Sequence, residues 1–292
     1  MMIANSINET QTIEEAFETI LNANWLLFEK SALMALDSET IEGVHQTRVA
    51  LRKIRSALVA FKSIIPKKGT IFISKYTRHV GLRLNAARDL DVYVEKYFKQ
   101  SELTKTEKSM RKLAKKSRAK EYAKVAKLMK SEKFASFRES ISIWISSRGW
   151  RGDMDAHEQE RLGENIVPFA LEVIESRQKA IVALDVDIDA LDDEALHELR
   201  KRCKKLRYSA EFFSPLFEQK MTLFLDSLKK LQDILGVLHD QSVIKTLHKS
   251  LLKGNDDKKL RKFARNLETR QKKKSIKMKK SLKTEWKKFI QI

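Results

Sequence analysis

The stretch Val44-His45-Gln46-Thr47-Arg48-Val49-Ala50-Leu51-Arg52-Lys53-Ile54-Arg55 aligns without a gap to Leu196-His197-Glu198-Leu199-Arg200-Lys201-Arg202-Cys203-Lys204-Lys205-Leu206-Arg207. Both copies follow H-x-x-R-x-x-x-[RK]-K-[IL]-R. At 100° per residue His45, Arg48, Arg52 and Arg55 fall within an arc of about 80°, while Ala50, Leu51, Ile54, Leu58 and Phe61 lie on the other side. The second copy divides the same way: His197, Arg200, Lys204 and Arg207 face one direction, and Leu199, Cys203, Leu206, Ala210 and Phe213 the other. Each stretch therefore predicts a helix that is half core and half cationic stripe.

A second match follows each copy at nearly the same separation. Leu84-Asn85-Ala86-Ala87-Arg88-Asp89, with Val92, aligns to Leu235-Gly236-Val237-Leu238-His239-Asp240, with Val243. The repeat implies two halves of one ancestral helical bundle. It is imperfect at one position, where His239 stands opposite Arg88.

Working outward, the 292-residue chain contains only 8 Gly and 3 Pro, with 42% hydrophobic and 34% charged residues. So few breakers favour long helices and argue against a sandwich or barrel. The length suits two units. The interruption Arg148-Gly149-Trp150-Arg151-Gly152-Asp153 is the candidate boundary, giving halves at 8–150 and 155–292. Periodicity predicts helices over 13–36, 44–65 and 72–98, a basic helix or helical hairpin over 105–138, and a basic C-terminal helix within 249–292. Thr70–Ile73 and Val186–Asp189 look strand-like locally but have no neighbouring partner, and they read as linkers or helix starts.

Net charge is +20, which draws anions toward the surface. It is unevenly spread: residues 1–40 carry seven acidic groups against Lys30, whereas 105–138 carry 13 basic against 3 acidic and 249–292 carry 17 against 4. A single cysteine, Cys203, excludes an internal disulfide and a cysteine-based zinc site. No stretch approaches the roughly 18 apolar residues of a membrane span, and the N-terminus lacks a secretory pattern. The expected location is the cytoplasm.

Like charges at i,i+4 repel by a few tenths of a kcal/mol per pair. Two helices repeating such a stripe predict a compensating anion. Arginine forks with lysines interspersed suit a chain of repeating phosphates. His45 and His197 have no His or Cys at i+3 or i+4, so no metal is expected, and they read as donors to phosphate or as groups that orient arginines. Protonating them would strengthen anion binding as pH falls. Asp89, Asp91 and Asp240 read as holders of guanidinium groups rather than catalytic carboxylates. No E-x-E-x-K arrangement and no G-x-x-x-x-G-K-[ST] is present, so the chain is expected to be non-catalytic and without cofactor. RNA or DNA is the alternative ligand, since any phosphate backbone feels the same field. Only Tyr208 stands near the stripes for base stacking, which favours a bare phosphate chain. A scaffold docking on acidic proteins or membranes through the C-terminal segment is a third reading, disfavoured by its small apolar area.

The H-x-x-R…R helices, Arg88-Asp89-Leu90-Asp91-Val92 and Leu231-Gln232-Asp233-Ile234-Leu235-Gly236 together resemble the CHAD family, named for conserved histidines in an α-helical domain. The resemblance implies an all-α fold of two pseudo-symmetric four-helix-type bundles, with long basic helices around a central cleft that binds inorganic polyphosphate. It further implies association with polyphosphate granules. Carried onto this chain, the binding positions are Arg48, Arg52, Arg55, Arg200, Lys204 and Arg207, with His45, Lys53, Arg88, His197, Lys201, Lys205 and Tyr208 as further contributors. His239 departs from the Arg88 pattern and is not counted among them.

Overall fold

The computed structural model describes residues 6–184, 188, 190–217 and 220–291. Among them the fold is all-α, with eleven α-helices and no strand. The helices are α1 (Ile13–Met34), α2 (Glu42–Ala60), α3 (Lys67–Arg83), α4 (Asn85–Phe98), α5 (Lys105–Met129), α6 (Glu132–Ser146), α7 (Ala156–Arg161), α8 (Ile166–Val182), α9 (Asp193–Phe213), α10 (Lys220–Leu251) and α11 (Lys258–Phe289). No described helix is long and apolar enough to cross a membrane.

Two expected spans are corrected. The run 72–98 is two helices, interrupted at Leu84, beyond which Asn85 begins α4. Asparagine competes for backbone bonds and favours such starts. The span 44–65 begins at Glu42 and ends at Ala60, and the carbonyl of the next residue, Phe61, takes the amides of Ile64 and Ile65 in a turn. The basic run 105–138 resolves as a helix pair, with Ser131 capping α6. Thr70–Ile73 lies inside α3. Of Val186–Asp189 only Ile188 is among the described residues. Between α10 and α11 the chain turns at Gly254, whose φ of 72° is readily adopted by glycine.

The helices pack into two compact units that interleave along the chain. One comprises the chain up to Asn85, Ala123–Lys179 and Lys205–Thr222; the other comprises Ala86–Tyr122, Ala180–Lys204 and the chain from Leu223 on.

In the first unit α1 starts with a reciprocal cap, Thr12 Oγ1 accepting from the Glu15 amide and the Glu15 carboxylate from the Thr12 amide at 2.8 Å. The core gathers on Phe61, whose ring lies 5.0 Å from Phe17, 5.1 Å from Phe169 and 5.8 Å from Phe213. Phe61 and Phe213 occupy the same position in the two sequence copies, so one aromatic cluster anchors both motif helices. Gly43 sets the approach of α2 to α1: a Cβ there would meet the backbone of Met34 and Ala35 at 2.4 Å.

The stretch 148–153 is packed rather than linker-like. It forms a 3-10 helix that buries Trp150 fully against Phe17 and Trp144. Buried Glu14 accepts from Arg148, Arg151 and the Trp150 indole. Burial pushes the Glu14 carboxyl up, but the bonds from Arg151 and Trp150 and the charges of Arg151 and Arg148 outweigh it and hold it below its ordinary value.

The second unit packs Leu90, Tyr93 and Phe98 of α4 and Met110 and Ala114 of α5 against Ile244 and Leu251 of α10 and Leu260 and Ala264 of α11.

Two outcomes are expected. Gly43→Ala, by forcing α2 away from α1, lowers stability by about 1–3 kcal/mol, read from denaturant unfolding. Glu14→Gln costs about 1–3 kcal/mol at neutral pH. Because Glu14 is depressed in the folded state, its contribution is present above the unfolded carboxyl pKa and lost as pH falls through the folded one. The gap between parent and variant unfolding curves should therefore close toward strongly acid pH.

Candidate anion-binding site

On α2 the sequence pattern is realised in space. Val44, Ala50, Leu51, Ile54 and Leu58 are buried, and His45, Arg48, Arg52, Lys53 and Arg55 are all half-buried. Half-burial matters because it raises the cost of unmatched charge. Among the described residues Arg52 and Arg55 pair with no carboxylate, and the Nε of each is buried without a hydrogen-bond partner. The Arg55 pKa is lowered by burial first, and then by the charges of Arg78 and Arg52. Arg78 comes from α3, and no repeat or motif marks it in the sequence.

Within the same unit α9 contributes Arg207 and Tyr208. The buried Tyr208 ring has the Arg52 guanidinium 5.8 Å from its centroid and that of Arg207 at 5.5 Å. Residues from both sequence copies thus meet on one aromatic ring. Arg207 is additionally drawn to Glu211 at 3.3 Å. Arg177 of α8 ties the two motif helices together, donating to the carbonyls of Val59 at 2.8 Å and Lys205 at 3.0 Å. Burial pushes its pKa down to about 10. Its bonding partners are backbone atoms, so no side-chain pattern could reveal this brace.

In the second unit the earlier part of α9 faces α10 across a cavity of about 240 Å³, lined by Asp193, His197 and Arg200 from α9 and by His239, Ser242 and Lys245 from α10. The rings of His197 and His239 lie 5.2 Å apart and are inclined by 32°. The His239 pKa is lowered by burial, then by Arg200, His197 and Lys204, against an opposing pull from Asp240. His239 therefore lines the same cavity as His197 and Arg200. The signal available in the sequence was its alignment with Arg88.

The expected residues do not all gather. Lys201 is exposed and pairs with Glu198 one turn back, and Lys205 is exposed on α9. Arg88, on α4, lies within charge range of Asp91. Asp91 is buried and accepts from Arg118 Nε at 2.6 Å and from the Tyr122 hydroxyl at 2.9 Å. Burial pushes its carboxyl up, with Arg118, Tyr122 and Arg88 pulling it back. Asp240 holds Lys96 at 2.9 Å. Gln232 of the L-Q-D segment donates to the Cys203 carbonyl at 2.9 Å, locking α10 to α9. These motif residues brace helices. Burial pushes the Cys203 thiol up to about 12, which keeps it from acting as a thiolate. Among the described residues no group of three His, Cys, Asp or Glu side chains is placed to hold a metal.

The arrangement can therefore attract and orient phosphate-like anions. With that geometry in view, the family model for the CHAD domain matches residues 23–249. The crystal structure of the CHAD domain from the plant Ricinus communis superposes with a TM-score of 0.79 at 21% identity, covering 96% of this chain and 93% of that one. PptA from Streptomyces chartreusis superposes at 0.68 with 15% identity, over 95% of this chain and 100% of that one. At these identities the likeness concerns the fold. Two uncharacterized proteins of Mycobacterium tuberculosis, MT2285 and Rv2226, are each 26% identical over 188 residues, which is 60% of this chain and 35% of theirs. The chain spans about a third of the length of these curated relatives.

The cavity makes a sign prediction. A histidine depressed in the folded state takes up its proton more readily when unfolded, so His239 lowers stability as pH falls below the ordinary imidazole range. In an NMR titration without ligand the His239 ring should titrate below about 6.5, the unperturbed value. His239→Asn should lose less stability than the parent on acidification.

Proposed function

The chain belongs to the CHAD domain family, and from that premise we propose that it binds inorganic polyphosphate reversibly, by charge, through the motif helices α2 and α9, without chemistry. The observation that carries the reading is the arginine pair Arg52 and Arg55, both half-buried, each with a buried Nε that lacks a hydrogen-bond partner and neither paired with a carboxylate among the described residues, with the exposed Arg78 of α3 adding its charge to Arg55. A folded protein keeps like charges so placed only where something else compensates them, and a chain of phosphates does so with bidentate oxygens at every unit.

The pseudo-symmetric pair of halves, 8–150 and 155–292, and a central basic cleft belong to the same proposal. The meeting of Phe61 with Phe213 and of Arg52 with Arg207 on Tyr208 supports it. A cytoplasmic location at polyphosphate granules would follow from that ligand. Nucleic acid is the competing reading. Against it stands Tyr208, the aromatic nearest the stripes, which is 4% exposed with two guanidinium groups on its ring and so offers no face to a base.

Competition of long-chain polyphosphate against single-stranded RNA and duplex DNA at equal phosphate concentration tests the ligand: polyphosphate should displace both. Charge reversal of Arg52 together with Lys204 should abolish most binding. In the parent, log affinity should fall with log salt by about 0.7 for each phosphate contact. Preferential retention of RNA or DNA would overturn the assignment.

A further inference from the structure

Outside the repeated stretches, a groove of about 770 Å³ runs between α10 and α11 of the second unit. Two cation pairs at i,i+4 spacing line it: Lys245 and Lys249 from α10, Arg261 and Arg265 from α11. Lys245 also lines the cavity that holds His197, Arg200 and His239, so cavity and groove share a wall. Along α10, His239, Ser242, Lys245 and Lys249 fall within an arc of about 120° and span roughly 15 Å of helix. Lys245 and Lys249 thus lie on the same face of α10 as His239 and Ser242, so that polar side chains lead from the cavity into the groove.

The groove's charge balance is set by its inner wall. Glu268 is the one carboxylate lining it, and Glu268 accepts from His248 Nδ1 at 2.8 Å. His248 is 2% exposed; burial lowers its pKa, with Glu268 opposing. A neutral ring that donates at Nδ1 must accept at Nε2, where the Tyr93 hydroxyl lies at 3.0 Å. The carboxylate is thereby held by a buried relay. Arg261 is aimed by its bonds to the Asn255 carbonyl at 2.9 Å and to the exposed Asp256 carboxylate at 2.8 Å. Lys245, Lys249 and Arg265 are exposed. Like charges repeated on two facing helices again call for an anion between them.

We propose that Lys245, Lys249, Arg261 and Arg265 form a second phosphate-binding segment, which continues the polyanion path from the His197–Arg200–His239 cavity along α10 and lets the protein favour long polyphosphate chains over short ones. The inference rests on the polyphosphate reading above. A short chain fills the cavity alone; a long one reaches the groove and gains its contacts.

The test titrates tripolyphosphate and a long-chain polyphosphate by calorimetry into the whole chain. It compares the parent, Lys249→Gln with Arg265→Gln, and a control, Lys277→Gln with Lys280→Gln. The control removes the same charge from exposed positions of α11 that do not line the groove. The groove variant should weaken long-chain binding about ten-fold and lower its log–log salt slope by about 1.4, two contacts at about 0.7 each. Tripolyphosphate affinity and the control should stay within about two-fold of the parent. Should the double variant melt early, Arg265→Gln alone is read, with half the slope change. Equal weakening of both ligands, equal weakening in the control, or no change in the groove variant overturns the inference. A parent that binds neither polyphosphate overturns the reading beneath it.

Discussion

Positive charge held at half-burial without a carboxylate is the constraint on which this structure turns. Arg52 and Arg55 share one side of α2, within charge range of the exposed Arg78 of α3 in the case of Arg55, while the other side of the same helix is committed to the core. Arg52 and Arg55 cannot rotate away without exposing Leu51 and Ile54, and among the described residues no carboxylate pairs with either of them. Repulsion is therefore built into the folded state and must be carried by packing elsewhere.

The packing answers in specific places. Phe61, at the end of α2, sits among Phe17, Phe169 and Phe213, so the end of α9 is fixed by the same cluster. Gly43 allows the start of α2 to close on the end of α1, and Arg177 ties the carbonyls of Val59 and Lys205 to one guanidinium. In the second unit the Asp91–Arg118–Tyr122 and Tyr93–His248–Glu268 networks do comparable work, each joining residues of different helices through buried polar atoms. Asp91 of the R-D-x-D-V segment is consumed in one of these braces.

Much of the fold was legible in the sequence, because a repeat with helical periodicity records both the elements and their inner faces. Ala50, Leu51, Ile54 and Leu58, which the spacing places on the inner face of α2, are all buried. What escaped had physical reasons. The break at Leu84 lies inside an unbroken apolar period. Trp150 is buried in a stretch whose two glycines read as a linker. Arg78 and Arg177 reach the site from helices outside the repeat, and Arg177 does so through backbone carbonyls that carry no sequence signal. His239 was visible as a departure from Arg88, but its membership depends on a ring-to-ring approach to His197 that spacing along the chain cannot give. Conversely, Lys201, adjacent to Arg200 in the motif, is exposed and paired with Glu198.

The Tyr208 ring has a consequence for the time course of binding. Two guanidinium groups already rest against it before any ligand arrives, so part of the rotamer freedom of two long side chains has been given up during folding. Ordering such a side chain at an interface otherwise costs about 0.5–1.5 kcal/mol. If the chain binds polyphosphate as proposed, capture at this point becomes a matter of encounter rather than rearrangement: rapid arrival driven by the long-range field, and departure governed by how many phosphates remain in contact. A polyphosphate held this way would shift by one repeat unit without releasing the protein, since every unit presents the same oxygens to the same pre-ordered guanidinium groups.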